Sequence, residues 1–299
     1  MIYMYIKKSL RQATKKLEEK SIKNPHLEAE ILLSNILKKP REFILAYPEK
    51  QLTKTQITNY KLQITKRLKG VPLAYITGHK EFYGLDFYVN KYVLIPRPET
   101  ELMIDEAIRI TRNVKRITLI DVGTGSGCII ITLAKLLKSK LQITNYKLLA
   151  TDISRPALVI ARKNAKLHKV DKKIKFLHGN LLEPILNKPQ IANGKSQIII
   201  TANLPYLTPQ EIKNSPTIQY EPKLALDAGK NGLKYYCQLF KQIKQITNYK
   251  LPITVLLEID PSQTKKIKQL AKNKLPQCKY KTKKDLAGHN RLIILSLKP

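Results

Sequence analysis

The stretch Ile117-Thr118-Leu119-Ile120-Asp121-Val122-Gly123-Thr124-Gly125-Ser126-Gly127 decides the fold. Its first half is apolar, β-branched and too short for a helix, which reads as a buried strand over residues 117–121. Glycines at alternate positions in the second half let the backbone turn sharply and admit a ligand against the amides where a helix begins. A helical pattern over residues 127–137 follows at once. The spacing is Gly-x-Gly-x-Gly with Cys128 next, so the dinucleotide fingerprint Gly-x-Gly-x-x-Gly is not met, and no Gly-Lys-Ser/Thr follows to make a P-loop.

Outward from this unit the texture repeats. Apolar strands are expected at 147–151, 174–178, 198–202 and 253–258, with helices at 155–168 and 233–245 between them. Strict strand and helix alternation of this kind marks an α/β fold with a doubly wound parallel sheet. Two last runs, 278–282 and 291–297, are separated by a turn holding Gly288 and fit a terminal hairpin that adds antiparallel pairing, for seven strands in all. Upstream, a helix is expected from 99 to 111 with acidic residues in its first turn.

Residues 1–70 read as a small helical bundle, with helices at 7–20, 26–39 and 53–69. The second has Asn24 as N-cap, Pro25 at its first position and an apolar stripe at Leu27, Ile31, Leu32, Ile36 and Leu37. Residues 42–47 read as a short turn. Residues 71–98 form a connector punctuated by Pro72, Gly78, Gly84, Pro96 and Pro98, hairpin-like from 75 to 95, whose Phe82, Tyr83, Phe87 and Tyr88 are expected to fill a core between domains. Residues 99–299 make the third part. The heptapeptide Gln-Ile-Thr-Asn-Tyr-Lys-Leu recurs at Gln56, Gln142 and Gln245, and separations of 86 and 103 residues exclude a solenoid. All three copies read as insertions at helix ends or in links, without catalytic importance.

At 299 residues and 43% hydrophobic content the chain can fill a sizeable core. It lacks an apolar run of about 18 residues, and its first ten residues lack a signal-peptide pattern, so a cytoplasmic protein without a membrane span is expected. Cys128, Cys237 and Cys278 are far apart and the five histidines are scattered, which indicates neither a disulfide framework nor a metal site. The formal charge of +33 has two readings: contact with nucleic acid or the ribosome, or a lysine bias from A/T-rich coding, since only ten of the 55 basic residues are arginines.

The chemistry is expected at the carboxyl edge of the sheet. Asp152 closes the second strand where an acid accepts hydrogen bonds from two ribose hydroxyls, and Asp121 closes the first. With the glycine loop this points to S-adenosyl-L-methionine. The fourth strand exits into Asn203-Leu204-Pro205-Tyr206, which can set an amide oxygen, a backbone carbonyl and an aromatic face around one planar nitrogen. Taken alone, Asn-x-Pro is also ordinary turn chemistry.

The chain resembles the glutamine methyltransferases that modify peptide-chain release factors. The resemblance is carried by Ile95-Pro96-Arg97-Pro98-Glu99-Thr100-Glu101, Asp121 to Gly127, Asn203 to Tyr206, Tyr220-Glu221-Pro222, Leu226 to Gly232, and Asp285-Leu286-Ala287-Gly288 with Arg291. It implies a Rossmann-like class I methyltransferase domain, an N-terminal domain that docks the release factor, and methyl transfer to the glutamine of a Gly-Gly-Gln loop. Carried over by position, Gly123, Thr124, Gly125, Ser126 and Gly127 would hold the methionine part of the cofactor, Asp152 its ribose, and Asn180 with Leu181 its adenine. Asn203, Leu204, Pro205 and Tyr206 would receive the glutamine, with Asn203 and Tyr206 as catalytic residues and Asn203 also facing the cofactor.

Three positions depart from the family pattern: Leu204 stands for a proline, Asp260 for a glycine, and Asn180 for an acid. Asn-Leu-Pro-Tyr is also the form found in ribosomal RNA adenine dimethylases, which keeps an adenine amino methyltransferase acting on RNA or DNA open beside a ribosomal-protein glutamine methyltransferase. A non-catalytic cofactor-binding module is the third alternative.

Overall fold

The computed structural model describes residues 4–112, 114, 116–139, 145–186, 196–247 and 250–298. Backbone contacts divide the chain into two units, Met1–His79 and Lys80–Pro299.

In the first unit, apolar residues at Ile6, Leu10, Ala13 and Leu17 put one buried stripe on α1 (Ile6–Glu19). It packs with α2 (Pro25–Leu37), α3 (Arg41–Ala46), α4 (Lys54–Leu68) and α5 (Leu73–Thr77) around Leu32, Leu33, Ile44 and Ile64. Residues 42–47 thus belong mostly to a helix rather than a turn, because Ile44 has a core to enter. Asn24 precedes α2 in a left-handed conformation and its side chain makes no capping bond; Pro25 alone sets the start. The first heptapeptide copy is no insertion at an edge: it lies inside α4, where Gln56 and Thr53 exchange capping bonds (2.9 and 3.2 Å) and the buried Tyr60 donates to the Ala29 carbonyl at 2.9 Å.

The second unit opens with a hairpin of β1 (His79–Phe82) and β2 (Leu85–Tyr88), shorter than the 75–95 expected because α5 occupies its start. Phe82 and Phe87 are buried in this unit's own core with Met103, Ile104 and Ile130, not in a core between domains. A 3-10 turn, Pro98–Thr100, leads into α6 (Glu101–Thr111). Then follow β3 (Arg116–Val122), α7 (Cys128–Ser139), β4 (Asn145–Asp152), α8 (Arg155–Leu167), β5 (Ile174–His178), α9 (Glu183–Leu186), β6 (Gln197–Ala202), α10 (Pro209–Lys213), α11 (Lys234–Ile246), β7 (Ile253–Glu258), α12 (Thr264–Lys274), β8 (Lys279–Lys284) and β9 (Asn290–Leu297).

The seven strands form one sheet in the order β5-β4-β3-β6-β7-β9-β8. Five are parallel; β9 runs antiparallel beside β7, and β8 closes the edge beyond it. The central strands are apolar on both faces because helices cover both, α6 and α7 on one side and α11 and α12 on the other. Each fully buried aromatic or aliphatic side chain there contributes about 1.5–3 kcal/mol of transfer free energy. On β8 the residues are Lys279, Tyr280, Lys281, Thr282, Lys283 and Lys284, nearly all exposed. The connection reverses direction between β3 and β6, so the loops leaving these neighbours diverge and open a crevice at their carboxyl ends.

Candidate active site

The crevice is built from the glycine loop outward. The amides of Gly123 and Thr124 both donate to the Thr151 carbonyl, at 2.9 and 3.0 Å, which folds the loop over the end of β4. Asp121 is 0% exposed and faces inward, accepting from Thr124 Oγ1 at 2.6 Å and Thr201 Oγ1 at 2.9 Å, so it braces the loop against β6 and presents nothing to a ligand. Burial outweighs those bonds and pushes its carboxyl up to about 6. Asp152 accepts from the amides of Gly125 (2.9 Å) and Ser154 (2.8 Å), which leaves lone pairs on both carboxylate oxygens. Burial raises this group too.

The glycines divide by task. At Gly125, which has a φ of +54°, a Cβ would meet only the Gly123 carbonyl oxygen, at 4.0 Å, so a ligand can approach its backbone. At Gly127 a Cβ would lie 2.8 Å from Ile131 and 3.3 Å from Ala161. That glycine serves the packing of α7 on α8 and does not line the crevice. Asn164, fully buried on α8, donates to the carbonyls of Ser126 (2.8 Å) and Tyr88 (3.0 Å) and accepts from the Tyr88 amide (2.9 Å), fastening the loop to the hairpin.

A chamber of about 980 Å³ opens between these pieces, lined among others by Gly123, Gly125, Asp152, Ile153, Leu181 and Asn203. Ile153, 47% exposed, and Leu181 give it apolar walls. Leu181 has a φ of +51°, and Gly179 before it cannot carry a Cβ, which would fall 2.3 Å from Pro184. Asn180 also lines the chamber, while its Nδ2 donates to Glu183 Oε1 at 3.2 Å.

A second chamber of about 680 Å³ holds Tyr206, Leu207, Ile218 and Asp260. The two share Leu94, Arg97, Asn203, Leu204 and Ala225, which puts Asn203 at their junction. Asn203 Nδ2 donates to Thr100 Oγ1 at 3.1 Å, and its Oδ1 accepts nothing from any described residue. Leu204 is buried, and its Cδ2 would lie 3.3 Å from a Cβ on Gly123, so this side chain packs the Asn203–Tyr206 segment onto the glycine loop. The Tyr206 carbonyl accepts from Gln263 Nε2 at 2.8 Å, and burial pushes its phenol up to about 12. Asp260 caps the turn that carries Gln263, accepting from the Ser262 amide at 2.9 Å, so the departure at this position supports the residue that holds the Tyr206 carbonyl.

Sequence reasoning missed the groups that hold these walls. Glu221 is buried and takes Arg97 Nη2 (2.5 Å) and the Ile95 amide (3.1 Å), joining the segment before α6 to the Tyr220-Glu221-Pro222 loop. Leu207 exchanges backbone bonds with Leu226 (3.1 Å) and Ala228 (2.8 Å), and a Cβ on Gly232 would fall 2.6 Å from the Tyr206 carbonyl. Thr100 stood in a quoted motif and Glu258 at the end of an expected strand, but nothing local in the sequence couples residues 158 positions apart.

Residues 8–78 match the family model described as the PrmC N-terminal domain, and residues 113–274 match that of a methyltransferase domain. The chain is 32% identical over 273 residues to the release factor glutamine methyltransferase of Bacillus anthracis, covering 90% of this chain and 91% of that one. With its counterpart from Dictyoglomus turgidum the identity is 35% over 279 residues, 93% of each. The chain belongs to the release factor glutamine methyltransferase family. It is also 35% identical over 321 residues to a bifunctional methyltransferase of Rickettsia bellii, and spans about half that relative's length (98% of this chain, 55% of the relative). Among solved structures, the hMettl16 catalytic domain in complex with MAT2A 3'UTR hairpin 6 superposes with a TM-score of 0.53 at 15% identity over 84% of each chain, a likeness of fold.

The second unit is therefore a class I methyltransferase domain that uses S-adenosylmethionine. The residues present fit that group: a backbone open at Gly125, a carboxylate with spare lone pairs, and apolar faces at Ile153 and Leu181.

Proposed function

We propose that the chain transfers a methyl group to the side-chain amide nitrogen of a glutamine, and that the acceptor is the Gly-Gly-Gln loop of peptide-chain release factors. The observation that carries the reading is Asn203 on the lining of two chambers, with its amide nitrogen engaged by Thr100 and its oxygen without a partner among the described residues. The cofactor chamber is the one bounded by Gly123 to Ser126 and Asp152, with Asn180 and Leu181 toward the adenine end. Gly127, expected as a further ligand, acts through packing instead. The glutamine enters from the side of Tyr206.

A carboxamide nitrogen is a poor nucleophile because its lone pair is delocalised into the carbonyl. Bound in its chamber, S-adenosylmethionine supplies a methyl carbon activated by a sulfonium. What the protein supplies is aim. Asn203 Oδ1 and the carbonyl of Leu204 accept the two N–H groups of the glutamine amide and turn its nitrogen toward the cofactor chamber, while Tyr206 stacks on the planar amide. Orientation of this kind accounts for up to about 7–11 kcal/mol in well-ordered model reactions. Both acceptors strengthen as positive charge grows on nitrogen, so they favour the transition state over the bound substrate. No side chain of high basicity is needed, because the proton becomes acidic once the methyl has arrived.

The first unit is read as the part that docks the release factor, and the cytoplasm, where translation ends, as the compartment. The test is transfer of a labelled methyl group with three acceptors offered separately: a release factor, a ribosomal protein and RNA. Label in the release factor, located at the Gly-Gly-Gln glutamine by mass spectrometry, is the expected result. Label in RNA alone would replace this reading with the adenine one.

A further inference from the structure

We propose that Thr100 and Glu258 form a positioning relay that fixes the amide of Asn203 with its oxygen, not its nitrogen, toward the methyl acceptor. The proposal rests on the glutamine reading above. An asparagine amide is nearly symmetric in shape, and a half-turn exchanges an acceptor for a donor. Facing a carboxamide NH₂, the flipped form would set donor against donor and the clamp would fail. Something must break the symmetry.

Asn203 Nδ2 donates to Thr100 Oγ1 at 3.1 Å, and Thr100 Oγ1 donates to Glu258 Oε2 at 2.6 Å. Thr100 and Glu258 are each 2% exposed, so water does not compete for either. A hydroxyl has one proton. An ionised carboxylate can only accept, so it takes that proton and leaves the lone pairs of Thr100 facing Asn203, where only an NH₂ can answer them. Polarity thus runs one way, from carboxylate to hydroxyl to amide, and leaves Oδ1 for the substrate. The three groups sit on the turn before α6 and at the carboxyl ends of β6 and β7, which are hydrogen-bonded neighbours. Tyr236 holds the far side by donating to the Glu258 carbonyl at 2.7 Å.

The relay has a pH signature. Arg97 and Glu99 act on the Glu258 carboxyl from the segment before α6 and Arg291 from β9, and Glu258 in turn acts on Tyr206 beyond β6, Tyr236 on α11 and Cys128 at the start of α7. Burial dominates this set and brings the carboxyl up to about 7. Once protonated, Glu258 can donate to Thr100 as well as accept from it, and the sense of the chain is no longer fixed. Turnover therefore rises with pH through about 7.

The experiment compares the full chain with Thr100→Val and Thr100→Ser, using a release factor as acceptor, between about pH 6 and about pH 9. For Thr100→Val, kcat is expected to fall by about tenfold or more while affinity for S-adenosylhomocysteine stays within about twofold and the step near neutrality disappears. Thr100→Ser keeps the hydroxyl and restores both rate and step. A Thr100→Val enzyme with wild-type kcat, or one whose cofactor affinity falls in proportion to its rate, overturns the relay. Side-chain ¹⁵N spectra of Asn203 supply an arm that needs no methyl acceptor: a slowly exchanging Nδ2 proton is expected in the wild type and in Thr100→Ser, and not in Thr100→Val. A rapidly exchanging Nδ2 in the wild type overturns the relay even if release factors are methylated; a protected one with unlabelled release factors upholds it and defeats the glutamine reading.

Discussion

A buried carboxyl that titrates near neutrality ties stability to acidity at one residue. Glu258 has its pKa raised from 4.5 to about 7, so the folded chain holds a proton that the unfolded chain releases between these values. A raised acid favours the folded state at low pH, and this contribution is lost as pH climbs through about 7, at up to about 1.4 kcal/mol per unit. Glu258→Gln is expected to flatten the fall in thermal midpoint between about pH 5 and about pH 7, read by calorimetry; a slope unchanged by the substitution would refute the assignment. At Asn203, substitution by alanine is expected to remove turnover while cofactor affinity changes by less than about threefold, because Gly125 and Asp152 are untouched. Lost affinity with normal turnover at saturation would place Asn203 in the wrong chamber. That Asn203, Leu204 and Tyr206 come together on a chamber wall was legible because they are nearly contiguous. Thr100 and Glu258 were not, since a relay across 158 residues has no local signature.

At the scale of elements, one sequence adopts different structures according to its surroundings. The heptapeptide is helical at Gln56, where its Tyr60 fills the first core; its second copy supplies Asn145 to Leu148 at the start of β4; its third continues the end of α11 through Ile246. Residues 142–144 and 248–249 of the later copies lie outside the described ones. Burial, not propensity, chooses the outcome. Tyr60→Phe is expected to lower the stability of the first unit by about 1 kcal/mol in urea titration through the lost bond to Ala29, whereas Leu62→Ser in the same copy is expected to change it little. The strands and long helices were readable from apolar runs and periodicity. Helix α12 was not, because its lysines outnumber the few apolar residues, Ile267, Leu270 and Ala271, that face the core. The Arg97 and Glu221 clasp makes a further test: Arg97→Ala leaves a buried carboxylate without its cation and is expected to cost about 3–5 kcal/mol, whereas a loss under about 1 kcal/mol would show the two segments are held by other means.

For the whole molecule, strand and helix alternation carried the fold class, and the lone glycine loop with its two acids carried the cofactor; what stayed hidden was how the segments between strands lock together, since Asn164, Gln263 and Glu221 act over long separations. Charge remained ambiguous in the sequence, and the structure gives part of it a place. β8 ends the sheet with a row of backbone donors and acceptors that, among the described residues, pair with nothing on the outer side. Four of its six residues are lysines. Two such edges brought side by side would stack like charges about 5 Å apart, so repulsion guards the opening against a second copy. That guard is ionic. The Debye length shrinks from about 10 Å at 0.1 M salt to about 3 Å at 1 M, shorter than the gap it must bridge. Concentrated salt, the habitual remedy for sticky basic proteins, is therefore expected to promote pairing of two copies here, visible as a doubled mass by light scattering, and Lys281→Glu to bring it on at lower salt.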